Sequence, residues 1–218
     1  MFRGALRFAG VTALAAAGVF LLTSILAAGS GPGPKAEARV ATFAGGCFWS
    51  MQKAFDGVPG VATVTAGYAG GTKANPSYED VESGETGHAE SVEVKYDPAR
   101  ISYQQLLDVY WHHIDPLTVN SAFCDYGPQY RSIIFYHDAE QRRLAEASKR
   151  ALDESHRFRT PVVTAIQPAT PFYPAEEYHQ QFYRKNPGRY EAYRIGCRRD
   201  ARLQQLWGDL AVSKEATK

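Results

Sequence analysis

The 218-residue chain has few cysteines, little net charge and no internal repeat. Its cysteines, Cys47, Cys124 and Cys197, lie far apart, and no two form a Cys-x-x-Cys pair. That spacing argues against a structural zinc site, and no metal or organic cofactor is indicated. No cysteine precedes Cys47, so the early part of the chain offers none for lipid attachment. The net charge is +1, and no Lys/Arg run is longer than a pair. Nothing there asks for nucleic acid as a partner. No charged residue lies between Arg7 and Lys35. What is present is an ordinary balance for one globular domain, 44% hydrophobic and 22% charged. The 13 Tyr and 11 Phe suit either a core or a pocket lining.

The uncharged early stretch stands apart. Arg3 and Arg7 give a positive start, and residues 11–28 are nearly all apolar. A cleavable signal has an apolar region of roughly 7–15 residues and a spanning helix needs about 20. This one falls between, so a signal peptide and a retained membrane tether through residues 8–28 fit equally well. Ala36-Glu37-Ala38 offers a small-x-small cleavage site after a Gly/Pro/Ser linker. The expected division is residues 1–38 as signal or anchor plus linker, 39–212 as the catalytic domain and 213–218 as a tail. The expected location is outside the cytoplasm, periplasmic or anchored to the outer face of the inner membrane. An odd number of cysteines in an exported chain leaves at least one free or in redox exchange.

After the linker, residues 39–44 read as a strand, Gly45-Gly46 breaks it, and 47–55 read as a helix starting at or just after Cys47. A second strand covers 61–68. Residues 69–88 form a long polar loop, of the kind that is functional or disordered. In 90–96, Val92, Val94 and Tyr96 alternate with polar residues, which puts Glu90 on the same, buried face. Ser102 caps a helix to about 114. A second irregular loop covers 115–130, a strand 131–136, an Asp138-capped helix 138–155 and a strand 162–167. Short helices at 176–183 and 199–210 end the chain. The first six elements run β-α-β-β-α-β, the order of an α/β (α+β) ferredoxin-like split β-α-β two-layer sandwich, here with an irregular C-terminal extension.

Cys47 is the candidate nucleophile. Two glycines allow a tight turn and close approach of a ligand. A helix N-terminus favours a thiolate and lowers its pKa. Phe48 and Trp49 follow at once and could splay around a pocket whose aromatic edges suit sulfur and methyl groups. Glu90, desolvated on an apolar strand face, would have a raised pKa and could serve as a general acid near neutral pH.

Four segments share a further property. Gly45-Gly46-Cys47-Phe48-Trp49 resembles the nucleophile motif of the peptide-methionine (S)-S-oxide reductases. Gly67-Tyr68-Ala69-Gly70-Gly71 with Asn75-Pro76-Ser77-Tyr78, Thr86-Gly87-His88-Ala89-Glu90, and Asp125-Tyr126-Gly127-Pro128-Gln129-Tyr130-Arg131-Ser132 resemble three more of that family's signatures, in order. The resemblance implies that Cys47 attacks the sulfoxide sulfur and Glu90 protonates the departing oxygen. It implies that Tyr78 and Tyr130 hydrogen-bond that oxygen, that Asp125 helps hold the substrate, and that Phe48 and Trp49 cup the methyl group. Cys47 would become a sulfenic acid, and a second cysteine would condense with it to a disulfide and water. Cys197, beside Gly196 and with Arg198 and Arg199 to favour its thiolate, is the expected resolving cysteine; Cys124 is the alternative. The implied partners are oxidised proteins or peptides containing methionine sulfoxide and an external thioredoxin-like dithiol reductant, with the enzyme a monomer.

Two rival readings remain on the sequence alone. Cys47 beside a Trp, with His179 and Asn186 downstream, superficially resembles a cysteine protease, but Phe48 separates Cys from Trp. A domain that only binds oxidised or Met-rich surfaces would keep the pocket and have no need of Cys47.

Overall fold

In the computed structural model, which describes residues 38–211, β1 (Arg39–Ala44) forms where Val40 and Phe43 sit among small residues, and its last four residues are buried. α1 (Phe48–Phe55) follows the Gly45-Gly46 turn. β2 (Val61–Ala69) leads to α2 (Tyr78–Glu82), a short helix inside the long polar loop. β3 (Ala89–Tyr96) and α3 (Tyr103–His112) come next. The second loop holds a hairpin of β4 (Ser121–Ala122) and β5 (Asp125–Tyr126). β6 (Ile133–Tyr136), α4 (Ala139–Glu154), β7 (Ala165–Pro168) and β8 (Tyr173–Pro174) complete the sheet and its crossover. α5 (Phe182–Lys185), α6 (Pro187–Gly196) and α7 (Arg199–Trp207) make up the C-terminal extension.

The sheet order is β7-β6-β1-β3-β2-β8. Its central four strands, β6-β1-β3-β2, are antiparallel and have the order of the split β-α-β sandwich. β7 adds parallel to β6 through the α4 crossover, and β8 adds antiparallel to β2. One face packs on α1 and α3. There Phe43 stacks with Phe55 at 5.2 Å and with Tyr110 at 5.0 Å, among Met51, Val92, Val94 and Leu106. Each such side chain contributes about 1.5–3 kcal/mol by leaving water. A smaller cluster of Ala44, Ala69, Ala89, Ile133 and Phe135 lines the other face under Phe172.

Caps explain where the helices start. Ser102 accepts from the Gln105 N–H, and the Gln105 side chain accepts from the Ser102 N–H, a reciprocal box. Ser77 and Asp80 do the same for α2. The Ser77-x-x-Asp80 spacing was the sequence signal for that helix, hidden by the surrounding Gly and Pro. The extension folds back on the domain: Trp207 Nε1 donates to the Ile114 carbonyl at 3.1 Å and its ring meets Phe158 edge-on.

The membrane tether through residues 8–28 and the location at the outer face of the inner membrane are corrected. Among the described residues no helix is long and apolar enough to cross a membrane. The longest of them, α4, has 16 residues, about 24 Å at 1.5 Å per residue against a bilayer core of about 30 Å. Residues 8–28 themselves lie outside the described residues.

Candidate active site

The register of the sheet builds the site. Ala44, at the end of β1, pairs with Ser91 of β3, so Glu90 stands level with the turn that follows β1. Gly46 takes φ +89°, and a Cβ there would lie 2.6 Å from the Ala122 Cβ of the β4–β5 hairpin. Only glycine meets both demands. The turn delivers Cys47 to the N-cap of α1 and aims the first helical N–H, that of Phe48, at Glu90 Oε2, 2.9 Å away.

Cys47 is a free, buried thiol. Burial pushes it well above the usual thiol range, and Glu90 and Asp125 push the same way. The nearby Tyr193 hydroxyl and the backbone at Trp49 oppose them. The expectation of a thiolate favoured by the helix N-terminus is therefore overridden at rest, because the partial charge of one helix end is smaller than the cost of desolvation. Glu90 is 3% exposed, and burial likewise raises its carboxyl well above the usual carboxylate range, against the Phe48 N–H bond. Burial thus favours the neutral form of both groups.

Around them the predicted residues fall into place in different ways. Tyr78 opens α2, with its N–H bonded to Glu176 Oε1 at 2.8 Å, and burial next to Glu90 raises its phenol. Tyr130 donates to Glu82 Oε2 at 2.9 Å. Asp125 accepts from Tyr193 at 2.5 Å, and burial raises its carboxyl. Phe48 is 1% exposed and packs inward against Tyr68 and His179. Trp49 stays half-buried, stacked on Phe182 at 3.7 Å, with its indole N–H on His179 Nδ1 at 3.0 Å.

The extension brings two of the three cysteines together. Cys197 is joined to Cys124, with Cα atoms 4.9 Å apart, and not to Cys47. Cys124 is exposed at the two-residue tip of the β4–β5 hairpin, beside the partly buried Phe123 at φ +59°. A model of the peptide methionine sulfoxide reductase family matches residues 39–211. The chain belongs to that family. It is 53% identical over 174 residues to the peptide methionine sulfoxide reductase MsrA of Bacillus licheniformis, covering 79% of this chain and 96% of that one. It is 51% identical over 173 residues to the MsrA of Listeria innocua, covering 79% and 98%. Among solved structures it is similar to reduced Mxr1 from Saccharomyces cerevisiae, at 32% identity and a TM-score of 0.66 over 70% of this chain and 87% of that chain. It is also similar to methionine sulfoxide reductase A of Corynebacterium diphtheriae, at 31% identity and 0.61 over 72% and 77%.

Tyr193 and Glu82 join the site without a sequence signal, and His179, singled out on the sequence only for the protease reading, lies in it too. Tyr193 bridges Cys47 and Asp125 from the extension. Glu82, at the end of α2, ties the Tyr130 hydroxyl to the loop that carries Tyr78. His179 is 3% exposed and lies among Phe48, Trp49 and Tyr78. Because its Nδ1 accepts from Trp49, its proton is on Nε2, and burial keeps the ring neutral. The Tyr and His of a Pro-punctuated tail gave no periodic signal that would have pointed to the site. His88 serves structure: Nδ1 accepts from the Gly71 N–H at 3.1 Å and Nε2 bonds the Lys73 carbonyl, which holds the polar loop.

Proposed function

We propose that this chain reduces the S epimer of methionine sulfoxide in oxidised proteins and peptides, with Cys47 as nucleophile and Glu90 as general acid. The observation that carries the reading is a buried free thiol at the N-cap of α1 and a buried carboxyl, that of Glu90, accepting the first N–H of the same helix. The sulfoxide oxygen carries partial negative charge. Neutral donors strengthen their hold as that charge grows in the transition state, which is where binding accelerates chemistry. Tyr78 and Tyr130 supply the phenols; Trp49, with Phe48 behind it, receives the methyl group; Asp125, through Tyr193, holds the substrate side.

Cys47 sulfur bonds to the sulfoxide sulfur while the oxygen takes a proton from Glu90, and the thiol proton of Cys47 passes to Glu90. The protonated oxygen leaves the substrate sulfur as hydroxide, a hydroxide oxygen then bonds to Cys47 sulfur, and the S–S bond breaks with its electron pair going to the substrate. Cys47 is left as a sulfenic acid and the substrate leaves as the sulfide. Cys197 or Cys124 then displaces water from the sulfenic acid to give a disulfide with Cys47. The remaining thiol attacks that disulfide, which frees Cys47 and leaves Cys124–Cys197. A thioredoxin-like dithiol reduces this last pair, which has an exposed member in Cys124. We also propose that residues 39–212 are the catalytic domain, with 1–38 a leader whose signal-peptide reading rests on its sequence pattern and 213–218 a tail.

The test supplies a dithiol and a peptide carrying racemic methionine sulfoxide, with Cys47→Ser beside the natural chain, and follows each epimer by chromatography. Loss of the S epimer alone, abolished in Cys47→Ser, is expected. Loss of neither epimer by folded protein would favour the binding-domain reading. Undiminished turnover by Cys47→Ser would remove Cys47 as the nucleophile.

A further inference from the structure

Arg199 is the buried cation of this site, and the chemistry above leaves it unused. It opens α7 directly after Arg198, which takes φ +52°, and it is 2% exposed. Its Nη2 donates to the His113 carbonyl at 2.7 Å, and its guanidinium lies over the Phe123 ring, 4.0 Å from the centroid. Its Nη1 is buried with no protein acceptor, and that nitrogen is 3.8 Å from where a Cβ on Gly46 would sit. No ion pair is formed by it among the described residues. In the sequence Arg199 stands two residues after Cys197, whose thiolate it is expected to favour. The fold instead turns it toward the Gly46–Cys47 turn and leaves Arg198 exposed.

A buried guanidinium without a carboxylate partner is costly. The charges facing it come from every neighbouring element. Tyr190, Tyr193 and Arg194 belong to α6, Asp125 to β5, and Cys47 to the turn, while His113 at the end of α3 is held neutral at about 4 by burial. Of the anions these groups can offer, the Cys47 thiolate is the one that the reaction creates and consumes. Resting on the function proposed above, we propose that Arg199 is a positioning residue that provides the counter-charge for the Cys47 thiolate, held at the turn by Phe123 and the His113 carbonyl. Desolvation, Glu90 and Asp125 all disfavour that thiolate, and Arg199 offsets them without contact with substrate.

The experiment uses the full chain with Cys124→Ser and Cys197→Ser, in which Cys47 is the remaining cysteine, and measures its alkylation by iodoacetamide against pH. An opposite charge a few ångströms away moves a thiol's midpoint by about one pH unit or more. Arg199→Gln should therefore raise the midpoint by about one pH unit and slow alkylation at pH 7 about tenfold. Arg199→Met, whose chain packs on Phe123 and brings no new polar group, is the second neutral variant should Gln destabilise the fold. Arg199→Lys should restore most of the rate. A folded neutral variant with an unmoved midpoint would overturn the proposal, as would a Lys variant shifted as far as the neutral one. Because alkylation needs no sulfoxide, this outcome is separate from whether the chain reduces one.

Discussion

Replacing Glu90 with Gln isolates the proton. Gln keeps the length of Glu, and its amide oxygen can still accept the Phe48 N–H now 2.9 Å from Glu90 Oε2, so Cys47 and α1 should stay in place. What disappears is an acidic proton beside the sulfoxide oxygen. A positioned general acid contributes about 10²–10⁴ in rate, or roughly 3–5 kcal/mol of barrier. We expect kcat to fall by that factor, with KM changed little because the phenols and the Trp49 wall remain. The pH profile adds a second check. In the natural chain, activity should decline as pH rises through the raised Glu90 midpoint, and Glu90→Gln should lack that limb. Stability follows with a definite sign. The folded state raises the Glu90 midpoint above its unfolded value of about 4.3, so folding favours the protonated form. Its contribution is fully present below the unfolded value and is lost as pH rises toward the folded one. Glu90→Gln carries no such loss, so at pH 7 its Tm should equal or exceed that of the natural chain. Single-turnover kinetics and thermal melts from pH 5 to 9 decide the matter. A near-normal kcat in the Gln variant, or a lost rate accompanied by a lowered Tm, would refute the reasoning.

Cys197→Ser and Cys124→Ser should each keep one turnover per enzyme and lose dithiol-driven cycling, because the structure pairs these two cysteines with each other; multiple turnover that survives in both would assign resolution to an external thiol. Tyr78→Phe and Tyr130→Phe should each lower kcat/KM about tenfold, the worth of a hydrogen bond of roughly 1.4 kcal/mol, and steady-state kinetics with unchanged melts would check it. Gly46→Ala should cost roughly 1–3 kcal/mol from its left-handed φ and from contact with Ala122. Ala122→Gly should recover the contact part only, as denaturant titrations of the single and double variants would show.

How much was legible varied with the range of the interaction. The β-α-β-β-α-β order, the buried face of Glu90 and the helix caps at Ser102 and Asp138 are short-range properties, set by periodicity and by hydrogen bonds three residues apart. So was the Gly45-Gly46-Cys47 turn, because glycine's conformational freedom is written in the residue itself. The α2 helix was equally local and was overlooked only because its box at Ser77 and Asp80 lies in a Gly- and Pro-rich loop. The Tyr193–Asp125 bond, the His179 partner of Trp49, the Cys124–Cys197 pair and the aim of Arg199 span 68, 130, 73 and 86 residues. No periodicity carries across such distances. They depend on how the extension folds back over α1 and the hairpin. The protonation of Cys47 belongs with them, since a helix N-terminus is visible in a sequence, whereas the water removed from around a thiol is known only once every surrounding element is in place.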